Sequence, residues 1–278
     1  MIDFWQALAI NPFLKVALFA GLAAAFASGI VGPYVISKRI VFISGSISHA
    51  VLGGIGLFVF LHYMTGIALF TPLAGSLVSA VTFGFVIGAS HLYYKEREDT
   101  VIAAIWSLGM ALGVIFISVV PNTNTQLMDF LFGNLLWAST DDVQMLLVLD
   151  LFVLCVCLIL HKRFLAISFD ETQAYLQKQP VTLLYFILLT LVAITVVLMI
   201  QTIGAILVIA MLCLPAAIAN LFTQTLSKMI CLSVALSLAF TFIGIYLSYT
   251  FNWPPGATIA LITSLIYFLS LPLKNRSI

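Results

Sequence analysis

Charge is scarce in this sequence. Of its 278 residues, 11 are Lys or Arg and 10 are Asp or Glu, 8% of the chain, where soluble domains carry about a quarter. That excludes an ordinary water-soluble fold. Four cysteines without a CxxC pair give no metal cage and no disulfide framework. Cys155 and Cys157 fall on opposite sides of any helix they share and read as packing residues. No GxxxxGK[ST] stretch occurs, so the chain lacks the usual phosphate cradle and any ATP is left to another protein. HExxH, GxSxG and a serine paired with a base are also missing, which leaves an intramembrane hydrolase without support. The chain is expected not to be an enzyme. Of the four histidines, His62, His91 and His161 lie near the ends of apolar runs, where placement at the membrane interface accounts for them.

Apolar residues fill the space that charge leaves. They make up 63% of the chain, mean hydropathy is +1.21, and runs of 18 or more recur, each long enough to cross about 30 Å of hydrocarbon as a helix. The expected fold is all-α: a polytopic membrane bundle forming a single domain over 1–278. Spans are expected at 14–36, 43–63, 70–93, 100–120, 143–161, 181–200, 204–222, 230–250 and 256–273. With the N-terminus outside and the C-terminus inside, ten of the eleven Lys and Arg residues fall on the inner side, the exception being Lys15. Nine spans satisfy the positive-inside rule where eight would set Lys228 against Lys274 and Arg276. Asp3, Asp129, Asp141, Asp142 and Asp150 lie on or toward the outer side, which is either a field that favours cations there or simply the result of keeping Lys and Arg inside.

Polar residues inside the apolar runs are the candidates for function. In the stretch SGSISHAVLGGIG, Ser46, His49, Gly53 and Gly56 share one helical face. Small residues invite a second helix, and an imidazole in hydrocarbon needs a partner, water or an ion. The face is therefore expected to be covered, with His49 either a metal contact or a histidine satisfied by its neighbour. Asp150 sits near mid-depth of the fifth span, as a transport group or as a carboxyl paired to a hydroxyl. Between Lys162 and Pro180 runs the longest inner loop, where Asp170 is placed to cap a short helix through Gln173 and Ala174; it is a docking handle or a plain connection. The seventh span begins at Gly204 and holds Pro215, which is expected to kink it, beside a pathway or as a packing adjustment. NWPPGA, at 252–257, reads as an outer turn.

Taken together, VISKRIVFISGSISHAVLGGIGL at 35–57, SFDETQAYLQKQP at 168–180 and TIGAILVIAMLCLPAAIANLF at 202–222 resemble the metal-uptake permeases of ABC transporters, the ZnuB-like zinc permeases and their manganese and iron relatives. LFGNLLWAS at 131–139 and PPGATIAL at 254–261 fit the same pattern. The resemblance implies cytoplasmic ABC ATPase subunits, an extracytoplasmic metal-binding protein and a second permease copy, a homodimer, in a bacterial inner membrane. It places the ATPase coupling helix around Asp170, Glu171, Ala174 and Lys178, where Lys178 occupies a position typically glycine. In the family pattern GDxxSHAxLPG the aspartate and histidine are metal contacts. His49 matches the histidine, Ser46 is set against the aspartate and Gly53 against the proline.

The metal-pathway candidates are thus His49, Ser46 and Asp150, with Gly204 and Pro215 on a kinked pathway helix. Imidazole without a carboxylate leans toward zinc, because manganese prefers oxygen ligands. The expected function is the permease of an ATP-driven importer of a divalent metal, zinc, with manganese or iron as alternatives. The expected partners are those proteins and membrane lipid, not nucleic acid; the chain binds no cofactor of its own, the metal being cargo and the ATP residing on the partner. A gradient-driven cation transporter using Asp150 and His49 as relay groups is the reading from another class.

Overall fold

The computed structural model describes residues 4–94, 98–121, 133 and 135–276. Asp3, Lys95, Arg97 and Asp129, used in the charge count above, lie outside them, as do Leu131, Phe132 and Asn134 of the LFGNLLWAS stretch. The described residues are helical and contain no strand. In hydrocarbon every backbone N–H and C=O must find a partner within its own segment, and a helix does this.

The helices, in chain order, are α1 Phe4–Ile10, α2 Pro12–Ser37, α3 Val41–Thr65, α4 Pro72–Ala89, α5 Glu98–Val119, α6 Thr140–Phe169, α7 Glu171–Leu176, α8 Val181–Ile203, α9 Ala205–Phe222, α10 Leu226–Phe251 and α11 Pro255–Ser270. Among the described residues nine helices are long and apolar enough to span a membrane: α2 to α6 and α8 to α11. Their boundaries follow the hydropathy runs with one exception. α6 continues as helix to Phe169, so the first eight residues expected in the loop after 161 are helical.

Local chemistry sets the ends. Asn11 caps α2, its Oδ1 accepting the Phe13 N–H at 2.9 Å, and Pro12 stands in the first turn, where no backbone donor is needed. The NWPPGA stretch is the turn it was expected to be. Asn252 closes α10 in the left-handed region (φ 55°), Ser248 Oγ donates to the Trp253 carbonyl at 2.6 Å, and Pro255 opens α11.

The chain divides into two compact units. The first comprises Met1–Arg39, Asp129–Leu165 and Leu198–Ile278; the second comprises Ile40–Met128 and Ala166–Val197.

In the first unit, α2 is the central helix. Gly29 lies against the backbone of Val234 on α10, and Gly32 against the Leu212 carbonyl on α9. Gly244 of α10 meets Ile259 of α11 in the same way. Without a hydrophobic force between helices in lipid, such backbone-to-backbone approach supplies the association energy. His161, assigned above to the interface, instead joins two helices: the Tyr34 hydroxyl is 2.8 Å from its Nδ1, and the Ser227 hydroxyl is 3.0 Å from its Nε2.

In the second unit, α3 takes that place. Gly54 packs on Gly75 of α4, while Gly53 and Gly56 pack on Gly109 and Gly113 of α5, a GxxxG pair. His62 ends α3 with Nδ1 2.9 Å from the Ile67 carbonyl.

Candidate functional site

The face of α3 predicted to be covered is covered by α5 over four consecutive contacts. Ser46 Oγ donates to the Ile102 carbonyl at 3.1 Å. His49 stacks on Trp106, ring centroids 4.4 Å apart and planes within 10°. Gly53 and Gly56 follow on Gly109 and Gly113. The glycine contacts hold the two backbones close enough for the two rings to lie flat on each other.

This geometry separates the two polar candidates on the face. Ser46 is buried and its hydroxyl is spent on α5. Counted back from His49, moreover, the carboxylate of the GDxxSHAxLPG pattern falls on Gly45, one residue before Ser46, so this stretch of α3 has no carboxylate. The assignment of Ser46 to the aspartate position is corrected on that count. Ser44 and Ser48 return their hydroxyls to the helix backbone, at Val41 and Ser44.

His49 is half-buried, and its nitrogens make no hydrogen bond among the described residues. A metal approaches an imidazole in the ring plane, along the nitrogen lone pair. Stacking occupies a ring face and leaves that direction open. The indole is itself fixed, with Nε1 donating to the Met110 sulfur at 3.2 Å. Trp106 is the residue that sequence reasoning missed. Its position on an apolar helix 57 residues away carries no local signal. Among the described residues no three His, Cys, Asp or Glu side chains cluster around a metal-sized space.

Asp150 belongs to the first unit. It is 8% exposed, and its Oδ1 is buried without a hydrogen-bond partner. It lines an apolar groove of about 460 Å³ between Phe19, Phe26, Leu147, Leu151, Leu154 and Leu238. No hydroxyl pairs that oxygen, so the paired-carboxyl alternative has no support there. A buried polar atom left unpartnered costs about 1–3 kcal/mol.

At the inner loop, Asp170 caps α7 as expected, Oδ1 accepting the Gln173 N–H at 3.0 Å. At the other end, the Lys178 N–H donates to the Tyr175 carbonyl at 2.9 Å and the Gln179 N–H to the Ala174 carbonyl at 3.1 Å. This is the double closure of a Schellman motif, with Lys178 in the left-handed region at φ 58°. A left-handed site favours glycine, which accounts for the residue typical of the family there. Ala174 is buried beneath the helix at 1% exposure, whereas Phe169, Tyr175 and Leu176 are 73 to 76% exposed.

Gly204 is the entire connection between α8 and α9. Its φ of 81° and ψ of 157° lie in a region that is essentially glycine's alone. Gly133 packs directly against the Ile203–Gly204 backbone, so closely that a side chain on Gly133 would strike it. Pro215 sits inside α9, which runs unbroken from Ala205 to Phe222. The interruption of this region is therefore at Gly204.

Comparison with known proteins places the whole chain in one family. The model of the ABC 3 transport family matches residues 11–274. The chain is 46% identical over 257 residues to a Chlamydia pneumoniae protein named "Probable metal transport system membrane protein", covering 92% of this chain and 87% of that one. It is 35% identical over 271 residues to the Listeria innocua manganese transport system membrane protein MntC, covering 96% and 92%. Among solved structures it is similar to a chain of PsaBC from Streptococcus pneumoniae in complex with Fab, with a TM-score of 0.83 at 30% identity, covering 96% of this chain and 94% of that one.

Proposed function

The chain belongs to the ABC 3 transport family and is a multi-pass plasma-membrane permease of a metal-transporting ABC system; on that premise we propose that it imports a divalent first-row transition metal. The permease does no bond chemistry, and ATP is hydrolysed on a separate subunit. The whole chain acts as one permease domain, N-terminus outside and C-terminus inside, working as a homodimer with cytoplasmic ATPases and an extracytoplasmic metal-binding protein.

The observation that carries the site is the His49 ring, flat on Trp106 with its nitrogens unbonded. His49 meets the metal in the plane of its ring, and Ser46 helps to fix the helix that bears it. One protein ligand at a time suits a path that must release its ion. Asp150 is the carboxylate of the path: a buried acid with one oxygen unpartnered is costly, and such groups in membrane spans mark ion routes. The α7 segment, Asp170 to Lys178, docks the ATPase through Tyr175 and Leu176. Gly204, with Pro215 beyond it, is the joint of the pathway helix.

Manganese and zinc remain as cargoes to separate. Two Listeria relatives carry manganese in their names, while a lone imidazole without a carboxylate on α3 favours zinc. Uptake of radioactive manganese and zinc into vesicles holding this chain, its ATPase and its binding protein decides between them. ATP-dependent uptake of one metal, blocked best by that same metal, identifies the cargo. Uptake that survives removal of the ATPase and collapses with the ion gradient overturns the importer.

A further inference from the structure

α7 is a short, rigid block with two unlike sides. Its ends are closed by the Asp170 cap and the Lys178 turn. Glu171 and Ala174, three residues apart, share the inward side, where Ala174 is buried. Tyr175 and Leu176 are exposed. A push on the outer side therefore moves the block as a whole.

The chain itself links α7 to α6 and α8. A side-chain contact links it to a third helix. α4 runs into a single π-helical turn, Ser90–Tyr94, a form found often at functional sites. His91, on that turn, puts its Nε2 3.7 Å from Glu171 Oε1. Its ring also lies 5.1 Å from that of Tyr185, buried near the start of α8. His91 thus stands where α4, α7 and α8 meet, all within the second unit. The path continues along α4, where Gly75 near its other end packs on Gly54 of α3, five residues from His49.

We propose that His91 is a positioning residue that ties the coupling helix to α4 through Glu171, so that movement of α7 reaches the histidine-bearing helix α3 through the Gly75–Gly54 contact. The inference rests on the reading of α7 as the ATPase contact. Covalent links pass the movement to α6 and α8, and α8 also packs on α4 through Phe85 and Phe186; the His91–Glu171 contact joins α7 to α4 directly.

The test uses the full transporter, this chain with its ATPase and binding protein, and reads metal taken up per ATP hydrolysed. His91→Ala lowers that ratio by about three-fold or more, with the ATPase still co-purifying and its rate of hydrolysis unchanged. Glu171→Ala lowers the ratio similarly, and the double variant is no worse than the poorer single one. His91→Gln, which keeps a donor near Glu171, restores most of the loss. Should His91→Ala fail to reach the membrane, Glu171→Ala and His91→Gln still give a reading, since a tie predicts a defect in the first and little in the second. An unchanged ratio in the single variants, or defects that simply add, overturns the tie. Tyr175→Ala with Leu176→Ala keeps the premise separate. If that pair leaves the ATPase bound, the docking reading has failed; if it releases the ATPase while His91→Ala has no effect, only the tie has failed.

Discussion

In α2, glycines at 21, 29 and 32 bring α9 and α10 close, and between Val16 and Pro33 the helix has no ionisable side chain. In α3, glycines at 53, 54 and 56 do the same for α4 and α5, and one turn before them stands His49. The two helices use one packing device. Small residues at a membrane helix interface are therefore a requirement of association, and they identify no function by themselves. What distinguishes α3 is the imidazole set into the device and the indole that receives it.

The strongest way to break the comparison is to fill the glycines. Gly32→Val and Gly54→Val each drive a side chain into a backbone carbonyl, at Leu212 and Gly75 respectively. Both are expected to cost about 3 kcal/mol or more and to remove the folded peak in size-exclusion of the solubilised protein. If Gly54→Val folds while Gly32→Val does not, the two helices are not equivalent as scaffolds.

The comparison is sharpened by altering the chemistry and leaving the packing. His49→Ala should reduce metal uptake by about ten-fold, the equivalent of about 1.4 kcal/mol, at unchanged protein amount. Ser28→Ala on α2 should do nothing, because that hydroxyl only returns to the Ala25 carbonyl. Equal losses in both variants would make His49 a packing residue. Asp150→Asn carries a split expectation: lower uptake together with higher thermal stability, since a neutral amide costs less to bury than a carboxylate. Unchanged uptake with raised stability would take Asp150 off the path.

A smaller effect is expected at the platform. Trp106→Ala should raise the metal concentration for half-maximal uptake by about three-fold, in line with a stacking contact of about 0.5–1.5 kcal/mol. Trp106→Phe keeps an aromatic face and should stay near the parent value; a phenylalanine variant as poor as alanine would argue for a role of the indole N–H on Met110 instead. Least of all, Lys178→Gly should stabilise the α7 turn by roughly 1 kcal/mol by relieving a left-handed residue, read as slower proteolysis of the inner loop with uptake unchanged. Faster cleavage would show that the lysine side chain, not the turn, holds that end.

Much of this was legible in the sequence, for reasons that differ by scale. The nine spans follow from hydropathy because the bilayer imposes length and apolarity on each segment separately. The Ser46, His49, Gly53, Gly56 face follows from the helical repeat, and the Asp170 cap from spacing alone. Trp106 was not legible: it reaches His49 across a pairing of α3 with α5 that no local pattern encodes. His161 was assigned to the interface because its position at a span end was visible and its partners, Tyr34 and Ser227, were 127 and 66 residues away. The extension of α6 to Phe169 was hidden because Lys162 and Arg163 look like the end of a span, although a helix continues into water at no cost to its backbone.

Gly204 has a consequence for how such a chain can vary through time. Most connections here have slack, such as the five residues from Gly66 to Phe70 before the Thr71 cap, and a lineage can lengthen or shorten them without disturbing the helices. A junction of one residue, glycine by conformation and walled in by Gly133, has none. One residue added there would turn α9 by about 100° about its axis. The two helices it joins are free to change their side chains and not their phase.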